Sequence, residues 1–230
     1  MNEHELKDQI GYGTYKCFNQ KKCPQYWKNC ALSSNARELA YFINQPNFSE
    51  LQYGEKLKKF YSDYLEEIKQ RASDCFNRIK PLRRGDRKYL VKPFGNRLSE
   101  LLECVTEGGI KQEYKISFET LTKPIDILIH GKKKIFIEIK YYLDFNHLGA
   151  ALFESILCKQ KYKNSKFFVV CWYDSGREKK RNQFNYGKIF EELPDSVKYI
   201  DGVFSLNPKY DKNKKLEEAI NFLKEIKKHA

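Results

Sequence analysis

Residues 123–142 read KPIDILIHGKKKIFIEIKYY, two apolar runs of strand length joined by a basic turn through Gly131. Three ionisable residues interrupt them: Asp126, Glu138 and Lys140. Apolar and polar residues alternate along 135–141, as in a half-buried strand. Ile135, Ile137, Ile139 and Tyr141 then point one way, and Phe136, Glu138 and Lys140 the other. A hairpin through Gly131 sets Asp126, just after Pro124, beside the Glu138–Lys140 end. Two carboxylates and an ammonium converge there.

The segments on either side are regular. Leu98, Leu101, Leu102 and Val105 make a short amphipathic helix that Gly108-Gly109 ends, and 113–119 alternates as a strand. After the hairpin, 148–162 reads as a helix with Ala150, Ala151, Phe153, Ile156 and Leu157 on its apolar side. The run KFFVVCW at 166–172 reads as a central strand. A short strand at 199–206 and an amphipathic helix at 216–228 follow, with lysines in the last turn as the helix dipole favours. Strand, strand, strand, helix, strand implies a mixed sheet with helices on its faces.

Residues 1–80 are mainly helical in pattern. A helix over 36–44 stops at Pro46, and a long one over 49–79 stops at Pro81. The predicted class is therefore α/β, a central mixed β-sheet flanked by helices with a mainly helical N-terminal region. The predicted divisions are a helical accessory or recognition region at 1–92, a core at 93–210, and a C-terminal helix at 211–230 packed on that core.

At 230 residues, 41% hydrophobic and 15% aromatic, the chain is too apolar for disorder. No apolar run approaches the roughly 20 residues a membrane span needs, and the N-terminus MNEHELKDQI lacks a signal-peptide apolar region. An intracellular protein with no membrane partner is expected, cytoplasmic or nucleoid-associated. The net charge of +13 favours a polyanionic partner, because each neutralised phosphate releases counterions. The charge is clustered. Arg83, Arg84, Arg87, Lys88 and Arg97 interleave with Tyr89 and Phe94 ahead of the hairpin, and Arg177, Lys179, Lys180 and Arg181 form a second basic loop. Both are candidate nucleic-acid contacts, since arginine forks suit phosphate oxygens and aromatics stack on bases.

Seven cysteines, an odd number, argue against a secreted disulfide framework. Cys158 and Cys171 sit among apolar residues and read as buried small hydrophobes. Cys17, Cys23 and Cys30 are close in sequence, with gaps of five and six residues. Zinc or an iron–sulfur cluster would use them only with a fourth ligand from elsewhere, such as Cys75.

Two carboxylates from adjacent strands, with the backbone carbonyl of Ile139, form a partial shell for a hard cation such as Mg²⁺ or Mn²⁺. A neighbouring lysine can orient or deprotonate a water, or neutralise charge in the transition state. This is a phosphodiester hydrolysis site in outline.

Asp126 followed, after eleven residues, by Glu138-Ile139-Lys140 resembles the PD-(D/E)XK nuclease superfamily. The helix–strand–strand–strand–helix–strand order from Gly95 to Trp172 also looks like that superfamily's restriction-endonuclease-like core. The proline–aspartate pair departs by one inserted residue, Pro124-Ile125-Asp126. The resemblance implies a Mg²⁺-dependent DNA endonuclease of restriction, mobile-element or viral type. Asp126, Glu138 and Ile139 would hold the metal and Lys140 would act on the water. Glu100, or else Glu103, on the preceding helix would add a carboxylate. A partner of double-stranded DNA and a homodimer are expected, since one site per chain cuts one strand. Alternatives are a structure-specific nuclease, a RecB-like or CRISPR-associated exonuclease with an iron–sulfur cluster, an RNA substrate, or a non-catalytic nucleic-acid-binding module. His147 reads as a cap or solvated ring, and Gln160 and Tyr162 as packing or surface residues.

Overall fold

A computed structural model describes residues 39–44, 47–76, 88–119, 121–174, 198–210 and 215–230. The chain divides into two compact units, Met1–Leu98 and Ser99–Ala230. In the first, a 3₁₀ turn over Phe48–Glu50 leads into helix α1, Gly54–Phe76. Helix α2, Lys88–Glu103, begins in this unit and crosses into the second. The helical pattern along α1 buries Leu57, Phe60, Tyr61, Tyr64 and Ile68 on one face. Phe60 and Tyr64 pack against Phe94 of α2 at 6.1 and 5.7 Å between ring centroids. A Cβ on Gly54 would lie 1.6 Å from the Phe48 carbonyl oxygen, so the entry to α1 requires glycine.

Helix α2 starts ten residues before Leu98, where the apolar spacing first marked it. Pro93 and the surrounding charges disguised its first turns, because proline lacks the N–H that a helix interior uses. Full burial of Phe94 offsets that loss.

The second unit is built on a sheet of order β1-β2-β3-β4-β5. The strands are β1 Gly109–Ser117, β2 Thr122–His130, β3 Lys134–Leu143, β4 Lys166–Asp174 and β5 Gly202–Ser205. Helix α3, Phe145–Lys161, joins β3 to β4, and α4, Glu217–His229, closes the chain. β1–β2 and β2–β3 are antiparallel, β3–β4 and β4–β5 parallel. The fold class is the one expected: a mixed sheet flanked by helices, a helical N-terminal region, and the element order that the resemblance implied.

Alternation assigns the two faces. Phe136, Phe167, Val169 and Cys171 form one core with Leu148, Ala151 and Cys158 of α3. Phe168 meets Phe204, which meets Phe222 of α4, on the other. Cys158 and Cys171 are fully buried thiols, as their apolar surroundings implied. β3 is therefore not half-buried: Ile135, Phe136, Ile137 and Glu138 are all buried. The polar alternation marks a covered site rather than a solvated face.

Two polar devices hold α3 in place. Asp144 caps it by accepting from the His147 N–H at 2.9 Å, and the His147 ring lies 2.7 Å from the same oxygen. Asp201 pairs with Lys159 of α3 and Lys166 of β4, each at 2.8 Å, and accepts from the Phe167 N–H. Burial pushes the Asp201 pKa up, but these partners outweigh it and the net direction is down.

Candidate metal centre

The sheet opens at the residues singled out by sequence. The β2–β3 ladder runs from His130↔Lys134 only as far as Ile127↔Ile137. β3 continues beside β4 to Leu143. Residues 138–140 therefore keep β4 on one side and face a gap on the other. Asp126 fills it: its Oδ2 accepts from the Ile139 N–H at 2.6 Å. Asp126 also drops out of the β1 ladder, where Gln112↔Ile127 and Tyr114↔Ile125 skip it and Glu113. Glu113 takes a φ of 50°, a left-handed conformation costly for a residue other than glycine. Because the N–H and C=O of a strand residue share one edge, the Ile139 carbonyl faces the same gap.

Glu138 and Lys140 share the α3 face, as the alternation predicts. Lys140 Nζ donates to Glu138 Oε1 at 2.5 Å. Glu138 Oε2 is buried without a hydrogen-bond partner. Burial first, and the adjacent Asp126 charge second, push the Glu138 pKa up to about 8. Burial also raises Asp126, against the opposing pull of the Ile139 N–H and the Lys140 charge. Burial alone would lower Lys140, yet Glu138, Glu154 and Asp126 more than reverse it, so its pKa is raised. Lys140 is therefore held as an ammonium.

A third carboxylate, Glu154, was not anticipated. It lies on α3, 2% exposed, with Oε2 at 3.5 Å from Lys140 Nζ and Oε1 at 2.8 Å from Lys123 Nζ. The buried face of α3 is rotated from the expected one: Ala151 is buried as expected and Ile156 and Leu157 are half-buried, but Ala150 and Phe153 are exposed. Leu148, Ala151, Glu154, Ser155 and Cys158 are buried, whereas Phe153 is 52% exposed. A glutamate spaced three and four residues from Ala151 and Cys158 was the available signal.

The other expected residues divide clearly. Glu100 and Glu103 lie exposed on α2. Arg97 sits 3.8 Å from Glu67 of α1. Lys88 begins α2. Gln160 is exposed, and the Tyr162 hydroxyl lies 3.0 Å from that of Tyr114 with Lys134 over its ring, a packing role as read. Arg83, Arg84, Arg87, Arg177, Lys179, Lys180 and Arg181 lie outside the described residues, as do Cys17, Cys23 and Cys30.

The donor set suits one kind of cation. Among the described residues, no group of three or more His, Cys, Asp or Glu is arranged to hold a metal. Mg²⁺ instead takes one or two carboxylates and keeps several waters. A buried carboxyl, Glu138, and a half-buried one, Asp126, both with pKa values raised by burial and the first with an orphaned oxygen, fit that demand. Asp126, Glu138 and the Ile139 carbonyl are the residues that would hold it.

No family model matches the chain, and no curated protein matches it. Among solved structures, "Restriction endonuclease PspGI-substrate DNA complex" is similar at 11% identity, covering 98% of this chain and 93% of that one, with a TM-score of 0.43. The fold is defined by its strand order and register. No helix among the described residues is long and apolar enough to cross a membrane.

Proposed function

We propose that the protein is a divalent-cation-dependent nuclease that hydrolyses phosphodiester bonds in DNA, acting as an endonuclease. The observation that carries this reading is the gap between β2 and β3. There Asp126, the orphaned oxygen of Glu138 and the Lys140 ammonium meet under a helix. A buried carboxyl beside a half-buried one is costly without a cation, and a surface ion pair would need neither the burial of Glu138 nor the opened ladder.

Each residue has a distinct task. Asp126 is oriented toward the gap by the Ile139 N–H, where its carboxylate would meet the cation. Glu138 supplies its unpartnered oxygen. A bound Mg²⁺ or Mn²⁺ supplies an activated water and neutralises charge on the phosphoryl oxygen. Lys140 holds a proton on Nζ and donates it as a hydrogen bond to the attacking water or the phosphoryl oxygen. Glu154 fixes Lys140 from the α3 side. Glu100 is the further carboxylate that the resemblance implies.

The chain's net charge of +13 supports a nucleic acid as substrate. Arg83, Arg84, Arg87, Lys88, Arg97 and the 177–181 loop are the proposed backbone contacts. One site per chain makes a homodimer the form that would cut both strands.

Incubating supercoiled plasmid with the protein in Mg²⁺ and in EDTA tests this reading. Wild type is expected to nick or linearise it only in Mg²⁺, and Asp126→Asn to lose at least a hundredfold in rate. Protein that binds the plasmid but cuts neither DNA nor RNA in Mg²⁺ or Mn²⁺ would leave a binding module in place of an enzyme.

A further inference from the structure

We propose that Lys123 is a second phosphate-binding cation of this site, contacting a phosphate next to the scissile one; the inference rests on the nuclease reading. Lys123 is three residues before Asp126 on β2, and its Nζ lies 2.8 Å from Glu154 Oε1. The other Glu154 oxygen faces Lys140 on β3 at 3.5 Å. One buried carboxylate thus ties an ammonium from each strand to the same point above the gap. Lys140 reaches Glu154 only at 3.5 Å, so Lys123 is the closer partner of this buried carboxylate. An ammonium carries three donors, so the Glu154 pair leaves Lys123 able to meet a phosphate as well.

The charges say what it is for. Asp126, Glu138 and Glu154, fully ionised, against Lys123 and Lys140 leave one negative charge. A divalent cation turns that into one positive charge, the complement of a single phosphodiester. Without Lys123 the loaded site would be neutral and would hold no electrostatic preference for the backbone. Exposure separates the two lysines. The Lys140 side chain is 14% exposed and sits beside Glu138, where the reacting phosphate belongs. The Lys123 side chain is 38% exposed, open to a strand that passes the site mouth. A contact of this kind reads the backbone and is independent of base identity.

The test is the salt dependence of binding by the full-length chain to a labelled 20-base-pair duplex, with Ca²⁺ in place of Mg²⁺ and the duplex verified intact. Lys123→Met is expected to weaken binding several-fold. It should also reduce the slope of log K against log salt by about 1, the signature of one lost phosphate contact. Lys123→Arg is expected to restore both, since it keeps the charge. A purely structural lysine would not move the slope. A wild-type slope in Lys123→Met, or equal damage by Met and Arg, overturns the proposal. Wild type that shows the Lys123-dependent slope but cuts nothing in Mg²⁺ upholds the phosphate contact and overturns the nuclease reading alone.

Discussion

Lys140→Met is expected to cut DNA a hundredfold to a thousandfold more slowly than wild type while binding duplex almost as well. The size follows from the lysine's place. Its ammonium is nearly buried and held between Glu138 and Glu154. A donor fixed in advance costs no reorganisation when charge develops on the phosphate, and removing one such donor typically costs about 10² to 10³ in rate. Binding is expected to survive because the proposed contacts at Lys123 and in the basic segments are untouched. The variant should remain folded. Glu138 can take up a proton, its pKa already lying near 8, and Glu154 keeps Lys123. Single-turnover cleavage at saturating enzyme separates the chemical step from binding. A rate within tenfold of wild type would remove Lys140 from the chemistry.

Glu138→Gln is expected to kill activity and yet stabilise the cation-free protein by about 1–2 kcal/mol. The two effects have one cause. Glu138 titrates near 8 in the folded chain, against about 4.3 when unfolded. A raised carboxyl lowers stability as pH climbs, because the unfolded state ionises first while the folded state holds its proton. The penalty grows from about pH 4.5 and levels off near pH 8. Glutamine keeps the shape and the acceptor for Lys140 without that cost. Urea unfolding in EDTA at pH 5 and pH 8 should show the stability difference between variant and wild type widening toward pH 8. Equal stability at both values would mean that burial does not strain Glu138. A gain in cation-free stability together with a loss of function marks a residue placed for chemistry rather than packing.

The readable part of this fold was local. Asp126, Glu138 and Lys140 stood out because charge on an apolar strand has few structural explanations, and their spacing supplied the rest. The order of strands and helices followed from period and turn residues alone. What escaped the sequence was long-range. Glu154 joins the site only because the α3 crossover lays its buried face over β3, which no local period encodes. The first turns of α2 were hidden by Pro93, and Phe94 packing on α1 overrides the propensity. The splay of β2 from β3 depends on Asp126 leaving two ladders at once. Glu100 was selected by analogy with a motif position, while the carboxylate that the structure brings to the lysine is Glu154.

Titration with Mn²⁺ followed by calorimetry tests, without reference to any substrate, whether Asp126 and Glu138 form a divalent-cation site. Wild type is expected to bind Mn²⁺ at pH 8 and to weaken roughly tenfold or more by pH 6, as Glu138 takes up its proton. Binding should release close to one proton below pH 8, read from buffers of different ionisation enthalpy. Glu138→Gln and Asp126→Asn should lose the binding at both pH values. Wild-type affinity retained in both variants, or no binding by wild type at pH 8, would contradict the account.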